Sequence, residues 1–212
     1  MSTFLKGIKR PFLVTIALLL ICGLVYPLLL TGISQIIFPG QANGSLIMID
    51  GRAVGSELVG QDFSDARFMK SRPSAVNYNT YTQEDKDSGN YTGVGSGSRN
   101  YAPTNPELVK RVEADMAEFL KANPFIKKED IPTDLLTASG SGLDPHISPA
   151  SAAAQIPALA ESTGLSREAL EALVKENTQG KFLGIFGEET VNVFMVNLDI
   201  AKELGLIKLA AD

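Results

Sequence analysis

The sequence predicts a mixed α/β protein that consists of one N-terminal transmembrane helix and a single extracytoplasmic α/β domain. Residues 12–38 form an almost unbroken apolar run, and about 20 apolar residues in a helix are enough to cross the hydrocarbon core of a bilayer. No charged residue occurs between positions 11 and 49. Beyond that, helix-like and strand-like patterns alternate, which predicts a folded domain with few strands.

The flanks of the apolar run predict its orientation. Three bases precede it, namely Lys6, Lys9 and Arg10. Arg52 is the only base in the next twenty residues. Because basic residues favour the cytoplasmic side of a membrane, we expect residues 1–11 in the cytoplasm, residues 12–38 in the membrane and residues 39–212 outside.

A cleaved signal peptide is the alternative interpretation of the same run. Residues 40–42 resemble a small-residue cleavage site, but the apolar region of a signal peptide has only about 7–15 residues. The apolar run is nearly twice as long, so a retained anchor is favoured. Gly23 and Pro27 interrupt it, and they predict a kink, a face for close packing against another helix, or an ordinary irregularity of the helix.

Two patterns organise residues 45–105. Residues 45–49 and 52–59 flank Asp50-Gly51, a pair typical of a two-residue hairpin turn because glycine tolerates positive φ. Residues 77–105 are rich in Asn, Tyr, Thr, Ser and Gly and show no apolar periodicity. We expect a long loop there, and loops of this length are usually functional or disordered.

The rest of the chain predicts three capped helices, one buried strand and a short closing helix. The expected helices cover residues 106–123, 149–161 and 167–177, with Asn105, Ser148 and Ser166 as N-caps. Pro157 is expected to kink the second helix because it removes a backbone donor. After a loop at residues 180–187, the apolar residues 191–198 predict a strand, and residues 199–206 predict a helix.

Charge and cysteine content exclude several classes of function. Residues 50–212 hold all 24 acids and 16 of the 19 bases, a net charge of about −8. A surface of that sign repels phosphate backbones, so we expect no nucleic-acid partner. Cys22 is the only cysteine, which excludes an intramolecular disulfide and the common zinc sites.

The loop at residues 139–148 holds the strongest candidates for chemistry, because serines, Asp144 and the single histidine, His146, occur together there. A hydrolase triad needs these groups separated in space and mutually oriented beside an oxyanion hole, which three residues within one decapeptide do not provide. A Gly-x-Ser-x-Gly elbow is also absent. We therefore expect Asp144 and His146 to order the loop or to contact a partner. Glu84, Asp85 and Asp87 lack a calcium-loop spacing, which indicates a solvated loop.

From the residues alone, two functions stay open: a membrane-anchored accessory or assembly subunit, and a membrane-anchored extracytoplasmic enzyme of unfamiliar type. The lack of a set of acid, base and nucleophile favours the accessory subunit, and hence a protein that is not an enzyme.

Several motifs then resemble one known family. They are GSELVGQDF at residues 55–63, RPSA at 72–75, PTNPEL at 103–108 and TASGSGLDPHISP at 137–149. Together they resemble the C subunit of the Kdp-type potassium-transporting ATPase of prokaryotes, over nearly the whole chain. The stretch at residues 79–100 looks longer than the family's usual link, and Arg99 and Tyr101 stand where Gly and Asn are common.

The resemblance implies a single-pass subunit of a complex in the prokaryotic cell membrane. Its partners would be a channel-like potassium-binding subunit, a P-type ATPase subunit and a small hydrophobic subunit, with potassium as the transported ion. The family subunit is regarded as necessary for assembly, and it is proposed to bind ATP and raise the affinity of the ATPase subunit for ATP. That proposal conflicts with the orientation expected here, because ATP is cytoplasmic. An outer domain would instead brace the extracellular mouth of the complex. Gln61, Arg72, Asp144 and His146 are the candidate residues for ordering or contacting surfaces.

Overall fold

A computed structural model describes the backbone of residues 2–89 and 93–207, with side chains from residue 7 onward. The chain divides into two compact units, Met1–Leu46 and Ile47–Asp212. The first unit is helical, and the second mixes helices and short strands. The predicted mixed α/β class is confirmed.

The first unit contains the long apolar helix that the sequence predicts. Its parts are α1 (Ser2–Leu20), a π-helical turn (Ile21–Val25), α2 (Tyr26–Ile37) and the short α3 (Pro39–Ala42). Within the described residues, Gly7–Ile37 is the one helix long and apolar enough to cross a membrane, with a mean hydropathy of 2.7. The helix begins ten residues earlier than the apolar run, since the basic N-terminal residues are helical too.

The predicted irregularity at Gly23 and Pro27 takes the form of a π turn. The backbone N–H of Tyr26 donates to the carbonyl of Ile21, five residues earlier. Pro27 has no N–H, and in a regular helix its ring would crowd the carbonyl four residues before it. The wider turn relieves that conflict. Close packing of this face against another helix stays a prediction.

A β-hairpin opens the second unit, as predicted. Strand β1 (Leu46–Ile49) pairs with β2 (Arg52–Ser56). Asp50 and Gly51 have φ values of 48° and 73°, the left-handed pair that a type I′ turn requires. The second strand ends three residues earlier than expected.

The polar stretch at residues 77–105 is mostly irregular in its described part, with two short helical segments. A 3-10 turn covers Asn77–Asn79, and α4 covers Gln83–Asp87. Thr82 and Asp85 form a capping box at the start of α4. The loop expected at Glu84, Asp85 and Asp87 is therefore a short helix, and the Asp85 carboxylate takes part in its capping box. Residues 90–92 of this stretch, with Tyr91 among them, lie outside the described residues.

The three capped helices form where the sequence predicts them. They are α5 (Pro106–Ala122), α6 (Pro149–Thr163) and α7 (Arg167–Glu176). The N-cap side chains of Asn105, Ser148 and Ser166 each accept a backbone N–H from the first turn. Pro157 lies inside α6.

One predicted strand is wrong. Residues 191–198 do not form a strand: only Thr190–Asn192 is extended (β5), and Val193–Glu203 forms helix α8. Asn192 is the N-cap of this helix, since its Oδ1 accepts the N–H of Met195 over 3.2 Å. The predicted helix at residues 199–206 is thus the second half of α8. An apolar run buried on all sides shows the same sequence pattern in either conformation.

The second sheet is small and antiparallel. Strand β5 lies between β3 (His146–Ile147) and β4 (Thr178–Gln179). Helices α6, α7 and α8 pack with β5 around the main core. Its buried members are Met69, Ile147, Ala152, Ile156, Leu159, Leu170, Val191, Val193, Val196 and Ile200.

Candidate functional site

The loop at residues 139–148 is a closed structure with its own hydrogen bonds. The buried Ser139 accepts the N–H of Gly142 at Oγ over 2.9 Å, and the Ser141 Oγ accepts the N–H of Leu143 over 3.1 Å. Gly142 has a φ of 67°, and a Cβ there would lie 2.8 Å from the carbonyl oxygen of Gly97. The loop therefore requires glycine at this position.

Asp144 is the centre of the loop. Its Oδ1 accepts a hydrogen bond from the backbone N–H of His146 over 3.0 Å, and its Oδ2 accepts one from the Arg72 Nη1 over 3.2 Å. The Nδ1 of His146 lies 3.5 Å from Oδ1. The His146 side chain, the His146 backbone and the Arg72 charge together lower the pKa of Asp144 against the opposing effect of burial. The carboxylate is thus held ionised by two hydrogen bonds and by the neighbouring imidazole.

Arg72 connects this loop to a second segment of the chain. Its Nε donates to the Thr137 carbonyl over 3.3 Å, and its own carbonyl accepts the hydroxyl of Tyr78 over 2.7 Å. Burial raises the pKa of Tyr78 to about 12, so the phenol remains a donor at all physiological pH values. The side chains of Arg72 and Asp144 are 24% and 28% exposed. The ion pair is therefore largely shielded from water.

Three of the four predicted site residues thus come together, and Gln61 does not. Its Nε2 donates to the carbonyl of Val54 in β2 over 2.9 Å, and its own carbonyl accepts the Ser71 hydroxyl over 3.3 Å. Gln61 therefore stabilises the β1–β2 hairpin and not the loop at residues 139–148. Its neighbour Gly60 does reach the loop, since the Gly60 N–H donates to the Leu143 carbonyl over 2.9 Å.

Two buried amides that sequence reasoning missed bind the backbone of the two residues at positions 69 and 70, shortly before Arg72. Asn197 on α8 accepts the N–H of Met69 over 2.7 Å and donates to its carbonyl over 2.9 Å. Gln155 on α6 does the same for Lys70, over 2.7 and 3.1 Å. Asn197 lies among the buried apolar residues of α8, and that contrast is the signal that could have identified it.

Asp134 is a third residue that was missed. Its carboxylate accepts the Ser148 N–H over 2.7 Å and the hydroxyls of Ser148 and Ser151. Burial raises the pKa of Asp134, but the hydrogen bonds from Ser148 and Ser151 prevail and lower it overall. Asp134 thereby fixes the start of α6 directly after the loop, where a carboxylate also favours the helix dipole.

A cavity of about 500 Å³ lies beside the loop, between residues 73–75, residues 98–101, the face of α5 and residues 137–138. Arg111 and Arg99 both line it. Arg111 is paired with Asp115 over 2.5 Å, and Arg99 donates to the Tyr101 hydroxyl over 3.2 Å. Among residues 2–89 and 93–207, no group of three His, Cys, Asp or Glu side chains is arranged to hold a metal ion.

These features define a class of protein: a small α/β domain, ordered by internal polar contacts, that follows one helix of membrane-spanning length. The family profile described as KdpC, K+-transporting ATPase, c chain, matches residues 8–202. The chain belongs to this family and is therefore a subunit of a potassium-transporting ATPase. The resemblance drawn from the sequence motifs is confirmed.

Relatives support the assignment over almost the full length. The chain is 77% identical over 206 residues to the potassium-transporting ATPase KdpC subunit of Clostridium kluyveri, covering 97% of this chain and 98% of that one. It is 59% identical over 208 residues to that of Clostridioides difficile, covering 96% and 100%. It is 45% identical over 199 residues to that of Caldanaerobacter subterraneus, covering 94% and 96%.

Proposed function

We propose that the chain is a non-catalytic accessory subunit that holds the complex together, with residues 1–11 in the cytoplasm, 12–38 in the membrane and 39–212 outside. The observation that carries this proposal is that the side chains of Ser139, Ser141 and Asp144 are engaged in hydrogen bonds within the domain. The hydroxyls of Ser139 and Ser141 accept backbone N–H groups, and Asp144 is occupied by Arg72 and His146. Groups bound in this way order a surface rather than attack a substrate.

The proposed place of the domain is the outer mouth of the channel-like subunit. A net charge of about −8 over residues 50–212 creates a negative potential, and such a field raises the local concentration of cations. A domain fixed there would brace the entrance and modestly enrich potassium. The P-type subunit and the small hydrophobic subunit complete the proposed set of partners.

The experiment is a comparison of two purifications from potassium-starved cells in mild detergent. A tagged P-type subunit is purified with and without this chain present, and the co-purifying proteins are identified by mass spectrometry. We expect the channel-like subunit to be lost when the chain is missing. Recovery of an intact, stable complex without the chain would contradict an assembly role.

A second candidate function is nucleotide binding that raises the affinity of the ATPase subunit for ATP. The cavity of about 500 Å³ favours it, because Arg99 and Arg111 offer guanidinium groups and Tyr101 an aromatic ring. Phosphate groups form strong, charge-assisted hydrogen bonds with guanidinium groups. However, Asp115 already pairs with Arg111, and the proposed orientation keeps this cavity away from cytoplasmic ATP.

This second candidate is tested by titrating the full chain in detergent with a fluorescent ATP analogue. If the cavity binds nucleotide, Arg99→Gln weakens binding while Arg52→Gln, an exposed arginine of the hairpin, leaves it unchanged. Equal binding by both variants would exclude this cavity as the site.

A further inference from the structure

An exposed apolar turn connects β4 to β5. We call residues 182–186 the apolar turn. Four of its five residues have large apolar side chains, and these are highly exposed: Phe182 70%, Leu183 73%, Ile185 75% and Phe186 62%. No other five-residue stretch in the described part of the second unit exposes so many large apolar side chains. A contiguous apolar group of this kind marks a surface that is covered in the assembled protein.

The apolar turn is closed by its own backbone. The Phe182 N–H donates to the Phe186 carbonyl over 2.8 Å, and the Phe186 N–H donates back over 3.0 Å. At its base, the Lys181 ammonium lies 3.3 Å from the Glu188 carboxylate. The four side chains are thus presented from a preformed turn, which lowers the entropic cost of binding.

The charges around the turn indicate what covers it. Lys181 is the only base within residues 181–189, and it is paired with Glu188, while Glu189 adds a second exposed acid. Segments that bind a membrane surface combine apolar side chains with unpaired Lys or Arg, because bacterial lipid surfaces are anionic. The acidic flank of this turn is repelled by such a surface and attracted by a basic one.

We propose that the apolar turn docks into an apolar pocket with a basic rim on another protein subunit of the potassium-transporting ATPase. Phe182 and Phe186 are the anchors, since buried aromatic side chains contribute most to protein interfaces. Glu188 and Glu189 face the basic rim and set the orientation. This inference rests on the proposed accessory function, which supplies the partner.

The first test is co-purification of the other subunits with the tagged full chain in mild detergent. We expect F182S/F186S to recover about tenfold less of them than the unsubstituted chain. Phe125→Ser is the matched control, because Phe125 is 57% exposed in a different loop. Since all three phenylalanines are exposed, the midpoint of thermal unfolding stays unchanged. Unchanged recovery by F182S/F186S would overturn the inference.

The second test identifies the occupant directly. A photoreactive benzoylphenylalanine replaces Ile185 in the assembled complex, and the adduct is analysed by mass spectrometry. An adduct with another subunit is expected, and Glu188→Lys should reduce it while Glu113→Lys, an exposed acid on α5, does not. An adduct with lipid, an adduct with a second copy of the chain, or no adduct at all would overturn the inference. If one of these outcomes occurs while the unsubstituted chain still co-purifies with the other subunits, the docking inference is wrong and the accessory function is unaffected. If the unsubstituted chain co-purifies with no other subunit, both the docking inference and the accessory function are wrong.

Discussion

The Arg72 guanidinium donates a hydrogen bond to the Asp144 carboxylate over 3.2 Å and joins two segments that lie 72 residues apart. The Asp144 carboxylate also accepts the backbone N–H of His146. One carboxylate therefore fixes both the shape of the loop at residues 139–148 and its place against the rest of the domain.

Removal of the Asp144 carboxylate should destabilise the domain. Asp144→Ala leaves a largely shielded guanidinium and a backbone N–H without their partner, which costs about 1–3 kcal/mol in the free energy of unfolding. Denaturant unfolding of the full chain in detergent measures this loss in the free energy of unfolding. The exposed acid Glu113 provides the control variant, Glu113→Ala. In a double-mutant cycle with Arg72→Met, the two losses should be less than additive; full additivity would show that the pair is not coupled.

The same carboxylate should make stability depend on pH. The pKa of Asp144 is lowered from 3.8, and that of Asp134 is lowered as well. A folded-state pKa below the unfolded value means that the unfolded chain binds protons first as the pH falls. The stabilisation is therefore complete above pH 3.8 and is lost progressively below it.

Thermal unfolding of the full chain across this acid range measures the effect. Asp144→Asn should flatten part of the decline, because it removes one of the carboxyl groups whose pKa is lowered in the folded chain. An Asp144→Asn variant that loses stability with acid as steeply as the unsubstituted chain would contradict the assignment.

Two glycines of one loop should respond differently to alanine. Gly142→Ala places a methyl group 2.8 Å from a backbone oxygen and in a left-handed conformation, so we expect a loss of about 2 kcal/mol or more. Gly140 has no neighbour within 4 Å and no positive φ, and Gly140→Ala should stay within about 0.5 kcal/mol. Equal effects in denaturant unfolding would show that the close contact with Gly97 is not formed.

The glycine in the π turn should matter for assembly. We expect Gly23→Leu to reduce co-purification of the other subunits, because a large side chain prevents close approach of a neighbouring helix. Gly32→Leu is the matched control in the same apolar helix, since neither glycine has a neighbour within 4 Å in the isolated chain. Equal recovery by the two variants would remove Gly23 as a packing position.

Helix starts could be predicted from the sequence because their chemistry is local. Asn105, Ser148 and Ser166 each bond within their own first turn, so a few residues carry the whole signal. The start of α8 carries the same signal in Asn192, but the apolar run after it reads equally well as a strand. Strands β3 and β4 have two residues each, which is too short for any periodicity.

The candidate site was predictable only where its contacts are local. The Asp144–His146 contact spans two residues and follows from the loop sequence. The Arg72–Asp144 pair was not predictable as a contact, because one sequence holds no information on pairs so far apart. The hydrogen bonds between Asn197 and the Met69 backbone span 128 residues and were missed for the same reason.

The side of the membrane on which the domain lies decides between the accessory function and nucleotide binding. Single cysteines are introduced at Lys128 and Lys9, both exposed, after Cys22, the only native cysteine, is replaced by serine. Intact cells are then treated with a maleimide that does not cross membranes. We predict that Lys128→Cys is labelled in intact cells and that Lys9→Cys is labelled only after the cells are permeabilised. The reverse pattern would place the domain in the cytoplasm, contradict the account and favour nucleotide binding.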